Sequence, residues 1–226
     1  MHGFVVPNGT ITGRMSHRSP NVAQVPSLAS EYGLECRACW TVKDGYKLLG
    51  VDASGLELRM LAHYMDDEDY TNEVTTGDIH TANQKAAGLE SRDQAKTFIY
   101  AFIYGAGDAK IGSVVGGGKK LGRELKQRFL DNNPSLRTLR DRVSRAAKRG
   151  YLKGIDGRKI FIRNEHAALN SLLQGGGAIV MKRALAMLDS LIKLNTFDAK
   201  FVANIHDEWQ MEVKEDIADH VGELAV

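Results

Sequence analysis

Apolar and polar positions along this chain of 226 residues follow a helical period most clearly between Ser91 and Gly107. The apolar members of this stretch can face a core together: Ala95, Phe98, Ile99, Phe102 and Ile103. The polar members recur every four residues, which aligns them on one helix face: Arg92, Lys96, Tyr100 and Tyr104. Ser91 is a candidate N-cap, and Gly105 with Gly107 favours a helix end. The pattern predicts an amphipathic helix carrying two cations followed by two aromatic rings.

This polar face has two interpretations. Cations near the start of a helix can bind phosphates, and aromatic rings further along can contact a base or a sugar. The alternative is an ordinary amphipathic helix whose basic edge is solvated. The motifs on either side of this helix are needed to decide between the two.

Three further stretches have helical periodicity. A helix through Leu56, Met60, Leu61 and Tyr64 follows Lys47–Asp52, a short apolar strand that ends on an acid. Lys119–Gly150 is predicted to be helical and basic, with an interruption near Asn133-Pro134. His166–Leu194 is a long helix pattern with three polar residues at four-residue intervals: His166, Asn170 and Gln174. Gly175–Gly177 lie inside it at a cost of roughly 1 kcal/mol each relative to Ala, so either a neighbour approaches closely there or the helix breaks.

Strand patterns predict three hairpins. Phe4–Thr12 alternates around Asn8-Gly9, and Tyr151–Ile162 turns at Asp156-Gly157. Phe201–Lys214 predicts two strands joined by a tight turn, where the polar residues are His206, Asp207 and Glu208. Adjacent acids at a hairpin tip repel each other unless cations offset them. Asp52, at the end of its own strand, is a candidate metal ligand, with a simple helix cap as the alternative.

Composition places the chain among ordinary globular proteins. Hydrophobic residues make up 43% and charged residues 26%, and the length allows one large domain or two small ones. The sequence has neither an apolar run long enough for a bilayer nor a signal-peptide pattern, which predicts a cytoplasmic protein. Cys36 and Cys39 form a C-x-x-C pair without the second ligand pair that a structural zinc needs.

The charge is distributed unevenly along the chain. The net charge is +2, yet Gly118–Lys153 contains twelve Lys or Arg against three acidic residues, a surplus of nine positive charges. The remainder of the chain is therefore acidic, with a net charge of −7. This asymmetry favours a polyanionic partner close to acidic, metal-binding chemistry. The alternative is a solvated helical face.

Three motifs in this order resemble the family A (DNA polymerase I type) DNA polymerases, above all the replicative enzymes of T-odd-like short-tailed bacteriophages. The motifs are DASGLELRMLAH, RDQAKTFIYAFIYGAG and IHDEW, and the resemblance extends from GRMSHRSPNVAQVPS to the HDE turn. It implies an α+β fold, in which a right-hand palm (an antiparallel sheet with helices) contains an inserted helical fingers subdomain. The implied boundaries are palm for residues 1–65, fingers for 66–149 and palm again for 150–226. Thumb and exonuclease are not recognised and the palm stops inside a helix pattern at Asp216–Val226, so we expect a fragment.

The resemblance also implies which residues carry out catalysis. Asp52 and Asp207 would bind two catalytic Mg²⁺ ions with the help of the carbonyl group of Ala53. Glu208 would lie beside the metals. Lys96 would be the proton donor to the leaving pyrophosphate.

Nucleotide and DNA contacts follow from the same motif positions. Arg92, Lys96 and His80 would hold the triphosphate, and Tyr100 would pack on the sugar. Glu57 would be the steric gate against a ribose 2′-hydroxyl, and Tyr104 would stack near the templating base. Residues expected to touch the primer-template are Arg14, Gln174, His206, His166 and Asn170. One departure from the phage pattern is Ala101, at a position where glycine is usual, and it bears on nucleotide selectivity.

The implied function is template-directed DNA synthesis by two-metal-ion phosphoryl transfer. The implied partners are primer-template DNA and deoxynucleoside triphosphates, with a processivity factor as an open further partner and no membrane. The implied location is the cytoplasm of an infected bacterial host. Two alternatives stay open, a single-subunit phage-type RNA polymerase and a non-catalytic primer-template-binding fragment.

Overall fold

The computed structural model describes residues 3–226, which contain ten α-helices and seven β-strands. The strands are β1 (Phe4–Val6), β2 (Ser16–Arg18), β3 (Tyr46–Asp52), β4 (Tyr151–Lys153), β5 (Lys159–Phe161), β6 (Ala199–Ile205) and β7 (Glu208–Lys214). The helices before the basic segment are α1 (Gly33–Ala38), α2 (Leu56–Met65), α3 (Glu68–Thr75), α4 (Ile79–Ala87), α5 (Arg92–Ile103) and α6 (Asp108–Ser113). The remaining helices are α7 (Lys119–Asp131), α8 (Pro134–Ala147), α9 (Ala168–Leu194) and α10 (Ala218–Leu224).

The chain divides into two compact units. The first unit contains Met1–Ser54 and Gly177–Val226, and the second contains Gly55–Gly176. This division follows compactness alone, and the palm and fingers boundaries drawn from the sequence stay a prediction. In the described residues, no helix is both long and apolar enough to cross a membrane.

The first unit is built on a three-stranded antiparallel sheet in the order β3-β7-β6. Its inner face is formed by Leu49, Met211 and Val213, and α10 packs against it through the buried Val221. Strands β6 and β7 form the predicted hairpin, with a two-residue turn between Ile205 and Glu208. The antiparallel sheet with helices confirms the expected α+β class.

The predicted hairpin at Phe4–Thr12 is wrong in its second strand. Strand β1 pairs with β2, so that Phe4 lies opposite Arg18 and Val6 opposite Ser16. Two successive turns explain the longer connection, because the amide of Gly9 donates to Val6 and the amide of Gly13 donates to Thr10. The chain therefore turns twice before it returns to pair with β1.

The second unit is helical, apart from the predicted hairpin β4–β5. The apolar face of α5 forms its core, where Phe98, Ile99 and Ile103 are almost wholly inaccessible to solvent. Phe129 of α7 packs edge-on against the Phe98 and Phe102 rings, at centroid distances of 5.1 and 5.4 Å. Helices α7 and α8 separate at the predicted interruption, since Pro134 opens α8 where its missing N–H is not needed.

Helices α6 and α7 meet backbone to backbone. Gly122 of α7 lies so close to α6 that a Cβ atom there would be 1.8 Å from the carbonyl oxygen of Asp108. Gly112 of α6 has the same constraint, since its Cβ would be 2.1 Å from the carbonyl oxygen of Gly118. Only glycine allows the two helices to approach this closely.

Helix α9 is continuous over Ala168–Leu194, so the helix break, one of the two explanations considered for its glycines, does not occur. At Gly176 the reason for glycine is the other explanation, a close neighbour. A Cβ atom there would be 2.8 Å from the Met60 methyl group and 3.2 Å from the Tyr64 hydroxyl oxygen, both on α2. His166 lies just before α9, in a short 3-10 helix at Glu165–Ala167.

Candidate active site

In the first unit, the strand register places two predicted catalytic acids at the same end of the sheet. Asp52 is the last residue of β3, and its cross-strand partner is Glu208, the first residue of β7. Asp207 immediately precedes Glu208, and its carbonyl oxygen accepts a hydrogen bond of 2.9 Å from the amide of Ala53. This backbone bond holds the end of β3, which carries Asp52, against the turn before β7, which carries Asp207. Asp52 is exposed and Asp207 half-buried, so both can be reached from solvent.

Glu208 has a local partner of its own. Its carboxylate accepts a short hydrogen bond from the side-chain amide of Gln210, two residues further along the same strand. Residues directly opposite each other in an antiparallel pair project from the same face of the sheet. Glu208 therefore lies on the face that carries Asp52, with its carboxylate held by β7 itself.

The donor atoms at this edge fit Mg²⁺. Residues 3–226 contain no cluster of three or more His, Cys, Asp or Glu side chains that could hold a metal ion. Magnesium does not require such a cage, because it is usually bound through one or two carboxylates and completes its shell with water and substrate phosphates. A pair of aspartates beside a backbone carbonyl offers only hard oxygen ligands. This set suits a magnesium site that is completed by a phosphate-bearing substrate.

The turn beside these acids has an unusual backbone and an anchored neighbour. His206 is exposed and has a left-handed backbone with φ of 58°. Two residues earlier, the carbonyl oxygen of Asn204 lies 2.9 Å from Nε2 of His17. The His17 contact ties the N-terminal segment that carries the half-buried Arg14 to the strand that leads into the turn. The structure thus brings Arg14's segment to β6, the strand that leads to His206.

In the second unit, the cationic face of α5 begins with an ion pair. Ser91 caps the helix as predicted, accepting a hydrogen bond of 3.2 Å from the amide of Gln94. Nε of Arg92 lies 2.8 Å from a carboxylate oxygen of Asp78. Asp78 also caps α4, accepting from the amides of His80 and Thr81. The hydrogen bond from Arg92 is the main reason why the pKa of Asp78 is far below its usual value.

Lys96 and His80 complete this cluster. Lys96 is exposed one turn beyond Arg92, and in the described part of the chain its ammonium group has no ion-pair partner. Partial burial is the first cause that lowers the pKa of His80, and the positive charge of Arg92 is the second. Nδ1 of His80 is buried and has no hydrogen-bond partner within residues 3–226. His80 is therefore mostly neutral at neutral pH and adds hydrogen-bonding capacity rather than charge.

The aromatic part of the face continues toward the end of α5. The ring of Tyr100 lies 6.4 Å from that of His80 and 6.3 Å from that of Tyr104, so three rings follow one another. Tyr104 is 48% exposed at the C-cap. Gly105 follows with a φ of 75°, and a Cβ atom there would be 2.1 Å from the carbonyl oxygen of His166. This close approach places His166 beside the end of the tyrosine face.

The other predicted contacts of the second unit lie on α2 and α9. Glu57 is in the first turn of α2 and is buried, with 8% of its surface exposed. Asn170 and Gln174 are half-buried and one turn apart on α9, which places them on the same face of the helix. Oδ1 of Asn170 is buried without a hydrogen-bond partner in the described residues. It is therefore an acceptor that a donor from a ligand could satisfy.

Two residues matter more than the sequence indicated. Asp78 caps α4 and also pairs with the first cation of the α5 face. His17 anchors the N-terminal segment to β6 through its contact with the carbonyl oxygen of Asn204. Both partnerships join residues that are distant in sequence or lie on different elements. Local periodicity gives no signal for such pairs.

Comparisons with known proteins agree on one family. The family described as DNA polymerase family A matches residues 1–226. The chain is 44% identical to the DNA-directed DNA polymerase of Enterobacteria phage T3 and 43% identical to that of Escherichia phage T7. Each alignment covers 100% of this chain and 37% of the relative, so the chain spans little more than a third of these polymerases.

A solved structure agrees with the sequence relatives. The POL domain of Pol1 from M. smegmatis, in complex with a DNA primer-template and dNTP, superimposes with a TM-score of 0.89 at 25% identity. That match covers 100% of this chain and 44% of the other. The antiparallel sheet and its surrounding helices thus occur together in a polymerase domain.

Proposed function

The chain belongs to DNA polymerase family A, and from this we propose that it forms the palm and fingers of a template-directed DNA polymerase. It adds deoxynucleotides to the 3′-hydroxyl of a primer. The polymerase activity is itself part of the proposal, because the chain spans only 37% of its phage relatives. Since those relatives are bacteriophage proteins, we place this activity in the cytoplasm of an infected bacterium. A processivity factor stays a prediction.

The observation that carries the proposal is the aspartate pair at the end of β3 and β7. Asp52 ends β3 and Asp207 lies in the turn before β7, and the hydrogen bond between Ala53 and Asp207 holds these two chain segments together. They would hold two Mg²⁺ ions together with the carbonyl group of Ala53. When bound, such ions activate an attacking hydroxyl and stabilise the charge of a leaving pyrophosphate. Glu208, tethered to Gln210, adds negative charge beside the pair without having to be a ligand.

The α5 face supplies the grip on the triphosphate. Arg92 and Lys96 lie in the first two turns, where a cation and the positive end of the helix dipole both attract phosphate. An incoming triphosphate competes with Asp78 for the guanidinium group of Arg92. Lys96 can donate a proton to the leaving pyrophosphate, which is general-acid catalysis by a positioned ammonium group. Neutral His80 contributes a hydrogen bond.

The aromatic rings and α9 position the sugar, the base and the duplex. Tyr100 packs on the deoxyribose, and Tyr104, largely exposed at the helix end, stacks near the templating base. Glu57 excludes a 2′-hydroxyl group. The duplex is contacted in its minor groove, where acceptors of all correct pairs look alike and contacts therefore test geometry rather than sequence. These contacts come from Arg14, His206, His166, Asn170 and Gln174.

Primer extension tests the proposal. With Mg²⁺ and four deoxynucleotides, we expect wild type and Asp44→Ala to extend a labelled primer. Asp52→Ala and Asp207→Ala should be inactive but still bind primer-template. Asp44 is a suitable control because it is an exposed acid in the same unit, outside the strand end.

Two other outcomes point to the alternatives. A wild-type chain that binds duplex but never extends a primer would be a binding fragment. Extension that occurs with ribonucleotides and fails with deoxynucleotides would indicate an RNA polymerase. Unchanged extension by both aspartate variants would remove the aspartate pair from the mechanism.

A further inference from the structure

The cations of the basic segment Gly118–Lys153 differ in their surroundings, and some of them have carboxylate partners. In α7, Arg123 and Lys126 share the carboxylate of Asp108, at 3.6 and 3.0 Å. Arg137, early in α8, pairs closely with Asp131. These three cations face two carboxylates within the fold, which weakens their attraction for an external anion.

Other cations of the segment border a groove whose lining contains no carboxylate. A cavity of about 530 Å³ lies between α8, β4 and α9. Four exposed cations border it: Arg142, Arg145, Arg149 and Lys153. Among the described residues, none of the four lies within salt-bridge distance of a carboxylate. The groove is otherwise lined by apolar side chains and one aromatic ring: Leu139, Val143, Ala146, Leu152, Leu172 and Tyr64.

We propose that this groove, here called the α8 groove, binds the single-stranded template overhang that leads away from the primer terminus. The inference rests on the proposed function in one respect, namely that the chain binds primer-template. The site it assigns is separate from the catalytic one. Its ligand is a single-stranded nucleic acid, held through its phosphates and its bases.

The spacing of the cations suits a phosphate backbone. Arg142, Arg145 and Arg149 follow at intervals of three and four residues, which aligns them along one side of α8 and its C-terminal extension. Seven residues of helix rise about 10 Å. In a duplex, successive phosphates of one strand advance by roughly 3.4 Å along the helix axis, and an extended single strand spaces them more widely. The row is thus long enough to contact two successive phosphates.

The chemistry of the groove favours nucleic acid over an acidic peptide. Three of the four cations are arginines, whose planar guanidinium groups bind phosphates in bidentate fashion and also stack on bases. The apolar floor with Tyr64 provides the surface on which bases can stack. A tyrosine phenol is neutral at neutral pH and does not repel phosphate, and burial raises the pKa of Tyr64 further above its ordinary value. The nearby carboxylate of Asp156 is held at 2.5 Å by Arg158.

The position of the groove separates it from the predicted duplex contacts. Leu172 forms part of its floor from α9, whereas Asn170 and Gln174 lie two residues away on either side. Two residues correspond to about 200° of rotation around a helix. The groove is therefore on the side of α9 opposite the residues expected to touch the duplex. A strand bound there has left the duplex.

The test measures how much a template overhang strengthens binding. Fluorescence anisotropy with a labelled primer compares 5′ overhangs of twelve and two nucleotides, without Mg²⁺ or nucleotides. For wild type we expect the longer overhang to bind about tenfold more tightly, equivalent to one stacked base. Arg142→Gln/Arg149→Gln should lose most of this advantage. For this variant, the slope of log binding constant against log salt concentration should be shallower than that of wild type by about 1.4, as expected for the loss of two phosphate contacts to a single strand.

A matched variant separates this effect from general electrostatics. Arg123→Gln/Arg137→Gln removes the same charge from the same basic segment, but at cations that already have carboxylate partners. It should keep the overhang advantage. If both double variants lose it equally, or neither loses it, the assignment of the groove is wrong. The assignment is also wrong if wild type binds both overhangs equally well. Binding of a polyglutamate peptide to wild type, but not to Arg142→Gln/Arg149→Gln, would then identify an acidic peptide as the ligand of the groove.

Failure of the groove and failure of the catalytic proposal remain distinguishable. Primer extension with a short overhang reports the catalytic site, and the binding assay needs no catalysis. An overhang advantage that disappears in Arg142→Gln/Arg149→Gln supports the groove even if no primer is extended. Normal extension together with an advantage that survives in that variant overturns the groove alone.

Discussion

Replacing Gly122 with alanine should lower the free energy of unfolding, because the added methyl group has no room between α6 and α7. Its carbon would lie 1.8 Å from the carbonyl oxygen of Asp108. A carbon atom and a carbonyl oxygen ordinarily approach to about 3.3 Å, so the two backbones have to separate by about 1.5 Å. Rotation of a side chain cannot relieve this contact, since both groups belong to the main chain.

Two opposing effects set the magnitude. Alanine is favoured over glycine in a helix by about 1 kcal/mol. Overpacking costs about 1–3 kcal/mol when side chains adjust, and more when a backbone has to move. Separation of the helices also loosens the packing of Ile111, Leu125 and Phe129, which are at most 4% exposed. We expect a net loss of about 2 kcal/mol, which lowers Tm by about 4–8 °C for a chain of this size.

Gly222→Ala is the matched control for this measurement. Gly222 also lies inside a helix, α10, but its Cβ atom would meet only Leu49 Cδ1 at an ordinary 3.7 Å. The same methyl group should therefore stabilise the chain there by about 0.5–1 kcal/mol. Thermal unfolding followed by circular dichroism gives the direction of the change in Tm for both variants, and urea titration gives the changes in the free energy of unfolding. If Gly122→Ala unfolds at the same temperature as wild type or a higher one, the reasoning about α6 and α7 is refuted.

Two further predictions concern the triphosphate cluster. Asp78→Asn keeps a good helix cap but removes the charge that holds Arg92, so the Kd of a deoxynucleotide for the protein–primer-template complex should fall roughly two- to fivefold. Asp93→Asn is the control and should leave this Kd unchanged. Weaker nucleotide binding by Asp78→Asn would mean that Asp78 positions Arg92 instead of competing for it. The pKa of His80 is lowered in the folded chain, so the unfolded chain binds a proton more readily, and stability should decrease as pH falls below the ordinary value of 6.5. The free energy of unfolding, measured by urea titration between pH 7.5 and 5, should decrease less steeply in His80→Gln than in wild type or in the exposed control His63→Gln. An equally steep decrease in His80→Gln would contradict the assignment to His80.

Local patterns predicted the elements well, because their signals lie within a few residues. The four-residue repeat with Ser91 and Gly105 marked α5, and Asn133-Pro134 marked the boundary between α7 and α8. The first hairpin failed for the same reason, since Asn8-Gly9 is a genuine turn signal. Which strand pairs with β1 is decided further along the chain, where a second turn delays the return.

The candidate site required more than local pattern. Asp52 and Asp207 are far apart in sequence, and in the sequence only the resemblance to a polymerase family connects them. In the structure, the β3–β7 register brings them together. The pairing of Arg92 with Asp78 joins two helices, and the division of the basic segment depends on which cations find a carboxylate in space. Net charge along a sequence cannot distinguish neutralised cations from available ones.

The left-handed backbone of His206 lowers the stability of the fold, while its side chain is proposed to contact DNA. A non-glycine residue in this conformation costs roughly 1–2 kcal/mol, and glycine would adopt it without that cost. Selection for heat resistance alone would therefore favour glycine at position 206, at the expense of the imidazole proposed to touch DNA. Thermostability and DNA affinity pull in opposite directions at this position. In an engineered library, the most heat-resistant turn would not be the one that holds DNA best.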